Sequence, residues 1–277
     1  MDQTIVESPS FLDNLAYHLL PIRRATVLKN MRVVFGGRFS QNQIEALAKN
    51  FYGHFFRVCV ENMVMGWMTK NAIKKRVRIL GSQHVLDASF KKKGILLLTG
   101  HFGNWEFTPV AGMLHFQEFR GRFHIVRRRL VNKFVERVLF KRFYDVGIDV
   151  IPKRNALDEV LRCLANNDVV TFIMDQYANP KKDGILVDFF GQKAGTYRSL
   201  AMIARVSGAP VIPTFCYRDT DGIHAMRFSE PIAWIEHADP EKEILENTRA
   251  YNCALEAMIS EKPEQWFWFH RRWKNKP

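Results

Sequence analysis

The sequence lacks any uninterrupted apolar stretch of the roughly 20 residues that a membrane-spanning helix needs. Its start has no secretory pattern either: a basic stretch, an apolar core and a small-residue cleavage site are missing, and Asp2, Glu7, Pro9, Asp13 and Pro21 interrupt the segment ahead of Arg23. Cysteine is scarce. Cys59, Cys163, Cys216 and Cys253 stand far apart with no Cys-x-x-Cys pair, which argues against a zinc or redox site. In mostly apolar surroundings they read as buried free thiols of a reducing compartment. No Gly-x-Ser-x-Gly is present, so a serine-hydrolase elbow is excluded. No zinc-finger spacing or ribonucleoprotein motif points to nucleic acid. There is no repeat, low-complexity tract or Gly/Pro/Ser-rich linker, so residues 1–277 are expected to form one domain. Acidic side chains are few: 28 against 41 Lys and Arg, a formal charge of +13. Such an excess suits an anionic surface or an acidic protein, although scattered charge can also be a plain solvated surface.

Apolar residues make up 47% of the chain, enough for a sizeable core. Residues 1–70 read as a helical N-terminal segment without a transmembrane span. Ser40 and Gln43 stand at capping-box spacing. Ile44, Leu47, Phe51, Phe55, Val58 and Met63 follow at near-helical period, for packing on the core or dipping into a membrane interface. From Gly94 strands and helices alternate. Strands are expected at 95–99, 123–127, 149–151, 169–174 and 211–217, with 223–228 and 231–234 completing the sheet. Helices are expected at 105–114, 131–146, 157–166, 196–207 and 244–259. This alternation predicts an α/β fold, with a mostly parallel central sheet flanked by helices on both faces.

The most informative segment is His101-Phe102-Gly103-Asn104-Trp105-Glu106. It follows the apolar run Gly94-Ile95-Leu96-Leu97-Leu98-Thr99-Gly100, which reads as a buried strand ending in a glycine turn. In open α/β folds ligands bind at that mouth of the sheet. A histidine with a carboxylate can take a proton from an alcohol and hold the imidazolium that results. With a helix starting near Asn104, Glu106 would fold back to fix the His101 tautomer, and the helix N–H groups would help hold a developing oxyanion. The spacing is not that of a zinc protease, because no second histidine follows four residues on. Gly103 permits either a close backbone approach or only the turn. Asp175 also ends a strand, to support arginines or the acceptor, or to cap a turn. Arg127 sits at a strand end as a candidate cation. Arg129, Lys133, Arg137 and Lys141 recur every fourth residue, as a docking stripe or a solvated helix face. The run from Trp266 to Lys274 interleaves aromatics with cations; alternation would bury one face and point the other at solvent. His270 has no acidic neighbour in sequence and is not expected to be a second base.

Gly100-His101-Phe102-Gly103-Asn104-Trp105-Glu106 resembles the His-x4-Asp/Glu motif of the glycerolipid acyltransferase superfamily. The branch it most resembles is the late acyltransferases of lipid A biosynthesis, the lauroyl and myristoyl transferases. Supporting motifs are Arg23-Arg24-Ala25-Thr26-Val27-Leu28-Lys29-Asn30-Met31, Val187-Asp188-Phe189-Phe190-Gly191, Gly208-Ala209-Pro210-Val211-Ile212-Pro213 and the segment from Pro263 to Lys274. The resemblance implies acyl transfer from acyl carrier protein to a hydroxyl of a lipid A precursor or similar glycolipid. It implies His101 and Glu106 as catalytic residues, direct attack on the thioester, and neither metal nor cofactor. Gly103, Asn104, Arg127, Asn132, Arg142, Asp175, Phe190 and Gly191 become candidate substrate-binding residues. Asn132, Arg142 and Asp175 fall where the family keeps polar groups, and Phe190 and Gly191 border an acyl slot or are ordinary core. Members usually carry a transmembrane helix ahead of the Arg-rich segment, which is not found here. A peripheral protein on the cytoplasmic face of the inner membrane is therefore expected. Two alternatives stay open: a polyene or other glycolipid acceptor, and a catalytically inactive basic module that binds membrane or RNA.

Overall fold

The computed structural model describes residues 6–127 and 133–274. Helices α1 (Phe11–Leu19), α2 (Arg24–Phe35) and α3 (Gln41–Val64) form an N-terminal helical layer. Capping boxes start two of them, Ser10 with Asp13 on α1 and Ser40 with Gln43 on α3. Ile44, Leu47, Phe51 and Val58 face the core, so α3 packs inward through most of its apolar stripe. Met63 does not, at 60% exposure. Its Cα lies about a third of a turn off the Phe51 direction at 3.6 residues per turn.

Beyond α4 (Lys70–Lys74) the chain forms β1 (Val77–Leu80), α5 (Ser82–Phe90), β2 (Ile95–Thr99), α6 (Phe107–Met113) and β3 (Phe123–Arg127). It continues through α7 (Lys133–Asp145), β4 (Ile148–Pro152), α8 (Leu157–Ala165), β5 (Val169–Ile173), β6 (Gly184–Phe189) and β7 (Gln192–Tyr197). It closes with α9 (Ser199–Ser207), β8 (Val211–Arg218), β9 (His224–Phe228) and α10 (Pro240–Glu261). The seven-stranded sheet has the order β1-β9-β8-β2-β5-β3-β4 and is parallel except for β8 against β9. β2 is apolar on both faces because both are covered. Leu96 and Leu98 join a core with Met31 of α2, Phe51 of α3 and Leu255 of α10. Ile95 and Leu97 join the opposite one, with Val110 of α6 and Phe140 of α7.

The expected α/β architecture is present, with local differences. β1 and the separate β6–β7 hairpin were not anticipated. The hairpin takes the start of the expected 196–207 helix, so α9 begins only at Ser199. Each of its strands carries a single charged residue, and the pairing of Asp188 opposite Lys193 emerges only when they meet. Residues 231–234 contribute a single bridge, Ile232 to Val211, instead of a strand. The thiols also differ from expectation: Cys163 and Cys216 are buried, Cys59 is half-buried and Cys253 is exposed. The C-terminal aromatic run is not an alternating strand. Trp266, Trp268, Phe269 and Trp273 are all buried, and so is Arg272, whose guanidinium donates to Thr196 Oγ1 at 2.8 Å.

Candidate active site

The register of the two central strands builds the site. Parallel pairing sets Thr99 beside Ile173, so the chains leave β2 and β5 at the same level. His101 lies two residues beyond Thr99 and Asp175 two beyond Ile173, which brings them together. Asp175 Oδ1 lies 2.9 Å from His101 Nδ1, and Oδ2 accepts the His101 backbone N–H at 2.7 Å. The same Oδ2 accepts the indole N–H of Trp266 at 2.9 Å. Gly100 makes this approach possible, since a Cβ there would stand 3.0 Å from Asp175 Oδ2 and 2.7 Å from the Phe102 ring.

The electrostatics follow from burial and this contact. Desolvation alone would raise the pKa of the fully buried Asp175, but the imidazole and its hydrogen bonds outweigh it and hold the carboxyl well below the usual range. Burial works against protonation of His101, yet Asp175 and Glu106 raise its pKa above the ordinary 6.5. With Nδ1 on Asp175, Nε2 is the nitrogen left for a substrate.

Glu106 does not fill the place expected for it. The hydrogen-bonded partner of His101 is Asp175, and α6 starts only at Phe107, so residues 101–106 form turns instead of a helical first turn. Two of the backbone N–H groups that were expected to serve an oxyanion are committed. Phe107 N donates to Asn104 Oδ1 and Thr108 N to Asn104 O. Glu106 instead lines the cleft with His101. Its pKa is raised by burial, against the opposing charges of Arg127, His101 and Arg142.

That cleft has a volume of about 770 Å³. Apolar side chains from β3, α7, β5 and α9 make much of its wall, Ile125, Phe140, Phe172 and Ile203 among them. Arg127 and Lys153 supply positive charge. The Arg127 guanidinium lies 3.3 Å from the Phe140 ring centroid, and the Lys153 ammonium 3.5 Å from that of Tyr197. Arg142 donates to Asn62 O at 2.9 Å while its charge acts on Glu106. A second, narrow cavity of about 60 Å³ shares Trp105, Ile125 and Ile173 with the cleft and runs between the sheet and α6 past Gly112 and Met113.

Other candidates sit elsewhere. Asn104 is fully buried, and its amide donates to Glu61 Oε2 at 3.0 Å. Glu61 in turn holds Arg218 at 2.5 Å and His224 at 3.2 Å, contacts that lower its pKa to about 2 although burial would raise it. Gly103 has φ +53°, and a Cβ there would stand 2.6 Å from Cys216 O, so the close approach and the turn both require glycine. Phe190 and Gly191, both at positive φ, turn the β6–β7 hairpin; Phe190 packs on Phe35, and its N–H donates to Glu256 at 2.7 Å. They are outside the cleft lining. Asn132 and Arg129 lie outside the described residues, as do the side chains of Lys133 and Arg137. Lys141 pairs with Asp145 at 2.7 Å on the surface.

Sequence reasoning missed Trp266 as a partner of Asp175. It also missed His270, whose ring centroid is 5.0 Å from that of His101. Burial lowers the His270 pKa to about 4, so it is neutral at pH 7. Their place in the C-terminal motif was the available signal. Two groups among the described residues bring possible metal ligands within 4.8 Å of one another: His101, Asp175 and His270, and His124, Cys163 and Asp168. In each group a histidine is already hydrogen-bonded to the aspartate.

An α/β sheet with a histidine–carboxylate pair at its mouth, opening on a partly apolar cleft with cationic groups, suits an enzyme that transfers groups carried on lipid chains. The comparisons agree. Residues 9–275 match the family described as bacterial lipid A biosynthesis acyltransferase, and the chain belongs to that family. It is 24% identical to a lipid A biosynthesis lauroyltransferase of Escherichia coli (strain K12), over 96% of this chain and 84% of that protein. A lipid A biosynthesis palmitoleoyltransferase of the same organism is 23% identical, over 95% of this chain and 82% of its own length. A phosphatidylinositol mannoside acyltransferase of Mycobacterium tuberculosis (strain CDC 1551 / Oshkosh) is 29% identical, over 62% of this chain and 53% of that protein. This chain is an acyltransferase. No described helix is long and apolar enough to cross a membrane.

Proposed function

We propose that this acyltransferase moves a fatty acyl group from the thioester of acyl carrier protein to a hydroxyl of a lipid A precursor or similar glycolipid. The observation that carries the reading is the His101–Asp175 pair at the head of the cleft. His101 Nε2 takes the hydroxyl proton as the oxygen attacks the thioester carbonyl. The C–S bond then breaks, and the thiolate leaves with a proton returned by the imidazolium, so no covalent acyl-enzyme forms. Asp175 holds the tautomer and stabilises the imidazolium. Arg127 stands in the same cleft as the cation nearest in role to an oxyanion or headgroup partner, with Glu106 and Arg142 setting the local charge. The acyl chain runs along the apolar walls, and its end enters the narrow cavity beside Gly112.

The protein works at the cytoplasmic face of the inner membrane, held peripherally by its +13 charge. The mannoside-acylating relative keeps a different glycolipid acceptor in view. Purified protein given acyl carrier protein or coenzyme A thioesters, with lipid A precursors and mannosides in parallel, tests donor and acceptor by product mass. A catalytically inactive module would transfer nothing and cleave no thioester at any pH.

A further inference from the structure

The N-terminal helical layer leaves large apolar side chains in solvent. Along the second half of α3 and the turn after it, Phe56, Met63, Val64 and Trp67 are 44%, 60%, 45% and 83% exposed. At spacings of seven and eight residues from Phe56, Met63 and Val64 keep to one side of the helix, away from Phe51 and Val58 in the core, and Trp67 follows, exposed, in the turn. The outer face of α1 adds a second row, Phe11, Leu12, Leu15 and Leu19, exposed by 42–80%. Apolar exposure clustered in this way marks an interaction surface.

Two observations identify the occupant. The stripe is followed directly by exposed Lys70, Lys74, Lys75 and Arg76. Tryptophan beside lysines, above aliphatic side chains, is the arrangement that suits a headgroup boundary, and an acidic protein surface would not need the apolar row. The stripe also ends beside an arginine whose charge reaches the cleft. Arg142 donates to Asn62 O at 2.9 Å, a Cβ on Gly66 would stand 3.0 Å from its guanidinium, and its charge acts on Glu106 inside the cleft.

We infer that the α3 stripe through Trp67, with the basic turn after it, is the face that enters an anionic lipid surface and sets the cleft mouth against it. The inference rests on the acyl-transfer reading for its purpose and names the surface through which the acceptor is reached. The acceptor then passes from the bilayer to His101 along the Arg142 side without leaving the interface.

The test uses vesicles of phosphatidylcholine with and without phosphatidylglycerol. The triple variant Met63→Ser, Val64→Ser, Trp67→Ser should weaken co-sedimentation with the anionic vesicles by on the order of tenfold or more. It should lose transfer to vesicle-embedded acceptor by a similar factor, and keep cleavage of a short-chain, water-soluble acyl thioester. Lys70→Glu with Lys74→Glu should weaken binding only to the anionic vesicles. Trp67→Phe serves as a folded control and should remove most of the fluorescence quenching by bromine-labelled lipid. Unchanged sedimentation in the triple variant, or unchanged quenching in Trp67→Phe, would overturn the inference. So would a wild-type dimer that the triple variant converts to monomer with vesicle binding intact, since the stripe would then bury against a second copy. A wild type that binds vesicles through the stripe but transfers no acyl group would instead sink the acyl-transfer reading and leave the surface standing.

Discussion

An imidazole that takes a proton from an alcohol must keep its own Nδ1 proton fixed while Nε2 works. For His101 as the proposed base, Asp175 is placed to meet that need from inside the protein, where its other oxygen is held by the backbone of His101 and the Trp266 indole. We expect His101→Ala to lower turnover by about 10²–10⁴-fold, the usual range for loss of a general base, with the melting curve retained. Wild-type turnover in a folded His101→Ala protein would remove the proposed mechanism. Asp175→Asn should be comparably severe, and it carries a sign. Working His101 is neutral and its pKa is raised, so the acid limb of kcat/KM should have its midpoint above 6.5 in the wild type. Removing the anion that favours imidazolium lowers that pKa, so the limb should move to lower pH in Asp175→Asn while the plateau falls. An unmoved limb would mean that Asp175 does not tune the base. Glu106→Gln should keep the tautomer and reduce activity less than Asp175→Asn, as compared by single-turnover rates.

At the scale of elements, the turn between β2 and α6 carries His101 and is held from beneath by α3. Glu61 anchors it through Asn104, whose side chain caps α6 at Phe107 N. Glu61→Gln takes the charge from a partly buried carboxylate that also pairs with Arg218 and His224. It should cost about 3 kcal/mol in denaturant unfolding, the scale for breaking one partner out of such a cluster. The pH dependence follows from the lowered pKa of Glu61. Its stabilising share is complete above 4.5 and is lost as pH falls from there through about 2. The melting temperature of Glu61→Gln should therefore fall less steeply than the wild type over that acid range, and parallel curves would contradict this. In α7 the basic residues Lys133, Arg137 and Lys141 recur every fourth position in the sequence. If this is the donor's docking face, Lys133→Glu with Arg137→Glu should raise KM for acyl carrier protein and leave kcat nearly unchanged. Equal losses with a small thioester would rule that out.

For the whole molecule, charge is the property that sequence alone states best. An excess of +13 predicts reversible, salt-sensitive binding to anionic vesicles, since each basic residue near the surface contributes roughly 1 kcal/mol and salt screens it. Protein retained after high salt and carbonate would contradict peripheral attachment. Central elements were legible in the same way, because a buried parallel strand is apolar on both faces and ends in a visible turn. Ile95–Thr99 and Val169–Ile173 needed nothing more. Less visible were elements whose reason for existing lies in a distant partner. β1 is a four-residue strand carrying Arg78, ordered by pairing with β9, and the β6–β7 hairpin is ordered by its own cross-strand pairs.

Local order along the chain determined the α/β class, the capping of α3, the place of His101 at a strand end and the basic balance of the surface. All of these depend on residues near one another in sequence, or on a sum over the chain. Tertiary structure alone decided which carboxylate serves His101. Glu106 is five residues away, but backbone turns and a late helix start carry it to the cleft wall. Asp175 is 74 residues away, and the register of β2 on β5 delivers it to hydrogen-bonding distance. The same holds for Asn104, drawn beneath the site by Glu61, for Trp266 and His270, returned to the sheet mouth by the C-terminal run, and for the outward rotation of Met63 and Trp67. The physical reason is common to them all. Hydrogen-bond and burial partners across a sheet are set by strand order and register, and no local pattern of residues encodes either.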